Sequence, residues 1–321
     1  MSTHIIATGI ALGTLSPIPS EYYQRIVLKD GFISASISTR KTATDLAARA
    51  SCKALKSSNI SPNQLGAIFY ISILDQGSWC HEPAYDLARR IHADNVPAFN
   101  MRQSCNGGLF ALELAKDFSK NIQKPVLISI SDCFHKSNLV RWDGDNSIFG
   151  DGAVSILIDN SIGVFKTVAI SSRCDNAQEA ETRGKMEYEV GDMIDFDARR
   201  LEFYEQNGGM VSSLLNIEEV VKNAIFSALE KANISISDIS WILTANINES
   251  IITQQLDRFF HFPIIKSGWK FGCRIGHLGA ADQLVSLHLL EERKMIKSGQ
   301  YIMLFGGGTG YNITVIILKK N

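Results

Sequence analysis

Two stretches in different halves of the chain repeat one pattern, and this repeat constrains the fold more than any other feature. ALKSSNISPNQLGAIFYIS begins at Ala54, and ALEKANISISDISWILTAN begins at Ala228, 174 residues later. Each stretch is typical of the end of an amphipathic helix, then a turn, then a buried apolar strand. The sequence therefore predicts that one helix–turn–strand unit is used twice.

A second pair of similar stretches follows in the same order. SIFGDGAVSILI from Ser147 and MLFGGGTGYNITVIIL from Met303 both lead from apolar residues into a glycine turn and out into a β-rich run. No Pro/Gly/Ser-rich linker divides the chain, so we expect two closely packed halves, residues 1–165 and 166–321. Repeated units with helices between apolar strands predict a layered α/β fold in which helices lie between sheets.

Composition argues against several classes of protein. The chain has 321 residues with a formal net charge of −1, and its Lys and Arg are scattered, so we expect no nucleic-acid or membrane-surface partner. The N-terminus has no Lys or Arg ahead of its apolar part, and no stretch reaches transmembrane length. Six separated cysteines without a C-x-x-C pair indicate reduced thiols and a cytoplasmic protein. No sequence motif indicates a bound metal or dinucleotide cofactor.

One cysteine stands at the start of a predicted helix. In RQSCNGGLFALELA, which begins at Arg102, Cys105 precedes Gly107 and Gly108 and a mostly apolar helical segment. Free N–H groups and the helix dipole at such an end favour thiolate over thiol. The two glycines indicate close approach of another backbone or of an acyl chain. We interpret Cys105 as a nucleophile; a buried structural cysteine is the alternative.

The chain resembles the β-ketoacyl-ACP synthase III group of the thiolase superfamily over nearly its whole length. The resemblance is carried by KTATDLAARASCKALKSSNISPNQLGAIFYIS, VPAFNMRQSCNGGLFALELA, SIFGDGAVSILI and LFGGGTGYN. It implies a thiolase-like αβαβα five-layered sandwich from two duplicated halves. It also implies a homodimer that pairs the strand before the nucleophile. Oxyanion donors would be the N–H of Cys105 and an amide of the loop 306–308, where we favour Gly307 and Gly308.

The other catalytic positions depart from the family pattern. Relatives that form carbon–carbon bonds pair the cysteine with a histidine in an HQAN-like loop and an asparagine in a GN-like loop. Here TANINE has Ala245 at the histidine position, followed by Asn246 and Asn248, whereas GHLGAADQ has His277 at the asparagine position. A single imidazole beside an acyl-cysteine suits removal of a proton from an incoming hydroxyl or amine.

We therefore expect Cys105 and His277 to be the catalytic pair. Asn246 or Asn248 would orient the imidazole or hold the thioester carbonyl, and Asp282 is a further candidate for orientation. This exchanged arrangement resembles that of the ester-forming acyltransferase branch of the family. The predicted reaction moves an acyl group from an acyl carrier protein or CoA thioester to a small-molecule hydroxyl or amine in a natural-product, polyketide or fatty-acid-like pathway. The alternatives are a synthase III-type condensing enzyme and a non-catalytic ketosynthase partner subunit.

The donor site of the family is altered as well. The N-terminal W-I-x-x-R-T-G-I stretch that helps to hold CoA is absent, which favours a carrier-protein donor. Arg141, Arg102 and Lys136 are candidates for contact with a carrier's phosphate. The polar segment 179–207 is predicted to form a partly helical flap over the pocket.

Overall fold

The computed structural model describes residues 3–78, 80–134, 141–142, 144, 146–183 and 196–321. The strands in this part of the chain are β1 (His4–Leu12), β2 (Thr14–Pro17), β3 (Ser34–Ile37), β4 (Ala67–Ile71), β5 (Ala98–Met101), β6 (Val126–Asp132), β7 (Gly152–Asp159), β8 (Phe165–Cys174), β9 (Ile239–Leu243), β10 (Tyr301–Gly308) and β11 (Asn312–Lys320). The helices are α1 (Ala43–Ser58), α2 (Pro83–Arg90), α3 (Gly107–Ile122), α4 (Ala180–Arg183), α5 (Phe196–Gln206), α6 (Met210–Ala232), α7 (Glu249–Phe260), α8 (Trp269–Ile275) and α9 (Asp282–Glu292).

The repeated helix–turn–strand unit is present in both halves. Asn59 caps the end of helix α1, and Asn233 caps the end of helix α6. Both asparagines have the left-handed backbone conformation, with φ of 56° and 52°. Asparagine tolerates this conformation better than most residues, so the shared N-I-S sequence stops both helices. A capping-box turn follows each stop, at Ser61 and at Ser235, and leads into β4 and β9. The prediction of a repeated unit is confirmed.

The main sheet keeps the strands of each half together. Its order is β5-β4-β6-β7-β1-β8-β11-β10-β9, and β2 pairs with β3 in a separate small sheet. The halves meet where the start of β1 pairs with β8 through His4 and Ile5. The boundary between residues 165 and 166 stays a prediction; it falls within the first residues of β8.

Two helices lie between the strands of the two halves. Helix α3 contacts β4, β6 and β7 of the first half and β10 and β11 of the second, and α9 contacts β1 and β7 as well as β9 and β10. Outside the sheet, α1 packs on β1, β6 and β7, and α6 packs on β8 and β11. The layered arrangement predicted from the repeat is therefore present, with the starts of α3 and α9 brought together at its centre.

The inner face of α3 matches the apolar pattern of its sequence. Leu109, Leu112 and Ala115 are fully buried in the central core. Burial of a leucine side chain contributes about 1.5–3 kcal/mol, so this face holds the helix firmly between the halves. Within the described residues, no helix is long and apolar enough to cross a membrane.

Candidate active site

Cys105 lies in the single 3-10 turn Ser104–Asn106 that leads directly into α3. The preceding residue, Ser104, has a φ of 47°, an uncommon conformation for a residue other than glycine. The thiol side chain is partly exposed. The turn therefore presents the sulfur at the start of a buried helix, where the sequence predicted it.

The two glycines after this turn allow the halves to approach. A methyl group added to Gly108 would lie 2.3 Å from the carbonyl oxygen of Ala280. One added to Gly107 would lie 2.9 Å from Cγ2 of Ile71. The prediction that these glycines mark a close backbone approach is confirmed for Gly108, and the approaching backbone is that of the loop before α9.

His277 reaches the cysteine from the second half. Its Nε2 lies 3.2 Å from Sγ of Cys105, and the residue is 4% exposed. The backbone of His277 is held by residues 148–150 of the SIFGDGAVSILI stretch. His277 N donates to Ile148 O at 2.7 Å, and Gly150 N donates to His277 O at 2.8 Å. Backbone hydrogen bonds between the GHLGAADQ loop and the SIFGDGAVSILI stretch therefore fix the position of the loop that carries the imidazole.

Asp282 holds the other side of the ring. Its Oδ2 lies 2.5 Å from Nδ1 of His277, and it also accepts the N–H groups of Asn246 and Leu278, each at 2.7 Å. As the first residue of α9, the fully buried carboxylate stands where the helix dipole favours negative charge. Cys105, His277 and Asp282 therefore form a hydrogen-bonded series.

The charges of this series act on the imidazole. Burial disfavours the protonated ring, but Asp282 and then Cys105 outweigh it and raise the pKa of His277 well above its ordinary value. The ring therefore favours the imidazolium form while both neighbours are charged.

The structure corrects the expectation that an asparagine side chain orients the ring. Asn248 is the N-cap of α7, and its Oδ1 accepts the N–H of Ile251 at 2.9 Å. The Nδ2 of Asn246 donates to Gly276 O at 2.9 Å, and its Oδ1 packs against Gly272. Among the described contacts, Asp282 makes the bond to Nδ1 of His277. Asn246 supports that carboxylate through its backbone N–H, which donates to Asp282.

A cavity of about 570 Å³ opens onto Cys105 and His277. Ala245, Gly307 and Gly308 line it beside the pair, so the glycines proposed as oxyanion donors lie at the site. Its walls are mainly apolar side chains of α6, α7, β10, β11 and the loop before α7. These side chains are Leu214, Ile217, Val221, Ile247, Ile251, Phe259, Phe305 and Ile313. Thr182, Arg200, Glu218 and Arg258 add polar groups. The cavity can hold an apolar group next to the sulfur.

The basic residues considered for a donor phosphate differ in availability. Arg141 is committed to the scaffold, because its Nη2 lies 3.0 Å from both oxygens of the fully buried Asp151. Arg102 lies at the surface, 3.3 Å from Asp75. Lys136 is outside the described residues, as are residues 184–195 of the predicted flap. The described ends of that flap form α4 and α5, and Thr182 and Arg200 line the cavity.

Sequence reasoning missed a second buried carboxylate beside the catalytic loop. Asp132, at the end of β6, accepts the N–H groups of Ile73 and Leu74 and the side-chain amide of Gln76. A methyl on Gly279 would lie 2.8 Å from its Oδ2. Burial raises the pKa of Asp132 to about 7 against the opposing effect of these donors. Its only sequence signal is an acidic residue that closes an apolar strand.

The chain is similar in sequence to known proteins. The family described as 3-oxoacyl-[acyl-carrier-protein (ACP)] synthase III C terminal matches residues 229–320. The β-ketoacyl-[acyl-carrier-protein] synthase III of Clostridium tetani is 24% identical over 307 residues, covering 92% of this chain and 89% of that protein. The corresponding protein of Aquifex aeolicus is 24% identical over 331 residues, covering 99% and 100%.

Solved structures match over the same length. The acyltransferase ChlB3 has a TM-score of 0.92 at 26% identity and covers 100% of this chain and 98% of its own. The synthase III of Aquifex aeolicus has a TM-score of 0.79 at 20% identity, covering 99% of both chains. OleA of Xanthomonas campestris has a TM-score of 0.77 at 14% identity, covering 99% and 98%.

The fold is thiolase-like, as the sequence resemblance implied. Within that class, the chain is similar to β-ketoacyl-ACP synthase III proteins over nearly its whole length. The prediction of the fold is confirmed, and so is the resemblance to this group, whereas the exchanged arrangement of the catalytic residues stays a prediction.

Proposed function

We propose that this protein is an acyltransferase that carries an acyl group through a thioester on Cys105 to a hydroxyl or amine acceptor. The observation that carries the proposal is the 3.2 Å contact between Sγ of Cys105 and Nε2 of His277, with Asp282 on the opposite ring nitrogen. The donor would be an acyl carrier protein thioester or CoA, and the acceptor a small molecule of a natural-product pathway. No further cofactor is needed, because the thioester itself supplies the driving force.

The first half-reaction loads the cysteine. The thiol proton of Cys105 passes to Nε2 of His277, and Sγ attacks the carbonyl carbon of the donor thioester. The N–H of Cys105 and the amides of Gly307 and Gly308 would stabilise the oxyanion. When the intermediate collapses, the carbon–sulfur bond of the donor breaks, and the departing thiolate takes from His277 the proton that Cys105 gave up.

The second half-reaction needs a base, and acylation makes one available. Loading Cys105 removes the negative charge that helped to raise the pKa of His277, so the ring that gave its proton to the departing thiolate stays neutral and can act as a base. The acceptor then gives its O–H or N–H proton to Nε2 as its oxygen or nitrogen attacks the acyl carbon. The carbon–Sγ bond breaks, and the proton on His277 pairs again with the freed thiolate.

The cavity wall also bears on the choice between acyl transfer and condensation. Decarboxylative relatives use two neutral donors on the malonyl carbonyl, and Ala245 lines this cavity where one of those donors would stand. A methyl group cannot donate a hydrogen bond. The names of the curated relatives favour condensation, so carbon–carbon bond formation remains the second candidate, and the presence of the cysteine and histidine argues against a non-catalytic partner subunit.

The test compares wild type with Cys105→Ala and His277→Ala. After exposure to acylated carrier protein, intact-mass spectrometry should show one added acyl group on wild type and, at a lower rate because the thiol lacks its base, on His277→Ala, and none on Cys105→Ala. Product formation with hydroxyl and amine acceptors should be lost in both variants. His288→Ala is the matched control, because this histidine bonds Thr8 of β1 at 2.7 Å and is not among the residues that line the cavity, so transfer should be unchanged.

Two results would redirect the proposal. Full transfer activity in His277→Ala would remove the imidazole from the role of base. Release of carbon dioxide from a malonyl donor together with a lengthened carbon chain would assign the protein to condensation instead.

We further propose a homodimer formed through β5. This strand ends the main sheet, its outer side pairs with no strand of the described residues, and Phe99 on it is 45% exposed. An apolar edge strand of this kind is a ready site for pairing with a second copy. A dimeric mass in light scattering, lost on Phe99→Lys substitution, supports this interface, whereas a wild-type monomer contradicts it.

A further inference from the structure

Asn106, the residue after the proposed nucleophile, is polar and yet fully buried. Its Nδ2 group donates to Oγ1 of Thr314 at 2.8 Å and also to Oδ1 of Asn312. Both acceptors belong to β11, where Thr314 pairs with Gly306 and Asn312 with Gly308. One side chain therefore ties the nucleophile turn to the strand that holds the glycine loop in place.

The same bond series continues to a charged group. Thr314 Oγ1 lies 2.9 Å from Oγ of Ser172, and Ser172 donates to Oε2 of Glu113 at 2.5 Å. Because a carboxylate only accepts, the donors run in one direction, from Asn106 through Thr314 and Ser172 to Glu113. A series that ends on a charge is stronger and more rigid than isolated neutral bonds. It also explains why Glu113 interrupts the apolar run of α3.

Direct packing joins the same two elements. A methyl on Gly308 would lie 3.1 Å from the backbone nitrogen of Asn106, and one on Gly306 would lie 2.8 Å from its Oδ1. The nucleophile turn and the glycine strand thus touch on both sides of Gly307. These are the two elements that would supply the oxyanion donors.

We propose that Asn106, acting through Thr314, is a positioning residue that sets the separation between the amide of Cys105 and those of Gly307 and Gly308. This inference rests on the proposed acyl transfer. Amide donors stabilise an oxyanion only when they are already in place as the charge develops. Loss of the hydrogen bond between Asn106 and Thr314 therefore impairs attack on a thioester without changing the reactivity of the sulfur itself.

The test measures two reactions of Cys105 in the full chain. Thr314→Val keeps the shape of the side chain but cannot accept the bond from Asn106. We expect its acylation by a soluble acyl-N-acetylcysteamine thioester to fall about tenfold or more. Alkylation by iodoacetamide, which needs no oxyanion donors, should stay at the wild-type rate. Thr314→Ser restores the hydroxyl and should recover most of the acylation, and Asn106→Ala should show the same separation of the two rates as Thr314→Val.

A matched control is available on the neighbouring strand. Thr167 is also buried, and its hydroxyl has no hydrogen-bond partner among the described residues, so Thr167→Val should leave both rates unchanged. Equal losses of acylation and alkylation in Thr314→Val, or no loss of either, would overturn the inference. A wild-type protein that accepts no acyl group from any thioester would refute the proposed function and the inference together, whereas an unaffected Thr314→Val beside an active wild type refutes the inference alone.

Discussion

The starts of α3 and α9 are the two regions of this molecule most worth comparing. Each central helix follows a single 3-10 turn, Ser104–Asn106 before α3 and Gly279–Ala281 before α9. The first start presents a partly exposed thiol to the cavity, whereas the second buries the carboxylate of Asp282 and uses it to hold His277. A similar turn thus holds the proposed nucleophile in one half, and in the other half it precedes the carboxylate that supports the proposed base.

The largest effect is expected when the start of α9 loses the charge of Asp282. Asp282→Asn removes the negative partner of Nδ1 and turns one acceptor of a backbone N–H into a donor. Transfer should fall about 100-fold or more, since the ring loses its tautomer and its orientation. Rates of the second half-reaction, measured by product formation, check this. Asp257→Asn, on the exposed face of α7, is the control and should remain active.

The contact between the two starts gives the next effect. Gly108→Ala places a methyl group against the carbonyl of Ala280, so we expect a loss of about 1–3 kcal/mol in the free energy of unfolding. This loss would occur although alanine favours helix by about 1 kcal/mol over glycine. Gly107→Ala meets only a side-chain methyl of Ile71 and should cost less. Urea denaturation would contradict the close approach if Gly108→Ala proved the more stable variant.

Stability should also depend on pH in opposite directions at two histidines. The pKa of His277 is raised in the fold, so its contribution to stability is complete below the unfolded pKa and is lost as pH rises through the folded pKa. The difference in the free energy of unfolding between wild type and His277→Gln should therefore shrink with rising pH. Between the unfolded and the folded pKa, it should shrink by about 1.4 kcal/mol for each pH unit.

His288 provides the opposing case. Burial lowers its pKa, so its contribution is present above the unfolded pKa and is lost as pH falls through the folded pKa. The difference between wild type and His288→Gln should shrink with falling pH. Chemical denaturation of the three proteins from pH 6 to pH 9 measures the first trend, and an extension to pH 5 measures the second. Parallel trends at the two sites would contradict the charge assignment.

The smallest effect separates a helix cap from a catalytic residue. Asn248→Ala should cost about 1 kcal/mol of stability, because α7 loses its N-cap bond. Transfer measured well below the unfolding temperature should be unchanged, and Asn248→Ser should recover most of the stability. A marked loss of transfer in the serine variant would return Asn248 to the active site.

Much of this architecture was open to prediction because it depends on local patterns. The N-I-S sequence follows the last residue of both α1 and α6, where its asparagine takes the left-handed conformation, and the apolar runs after it form strands. Cys105 at the start of an apolar helix, followed by two glycines, is likewise a short-range signal. The partner of Gly108 was not open to prediction, since Ala280 lies far away in sequence.

The amino-acid sequence by itself determined the repeated α/β unit, the position of Cys105 at a helix start and the presence of Ala245 in one loop and of His277 in the other. Only the tertiary structure decided that Asp282 rather than an asparagine side chain holds the ring, and that Asn106 joins the nucleophile turn to β11. The physical reason is the distance along the chain between the residues that interact. Helix ends, turns and strands follow from neighbouring residues, whereas hydrogen bonds between side chains depend on ångström distances that packing of the whole chain sets.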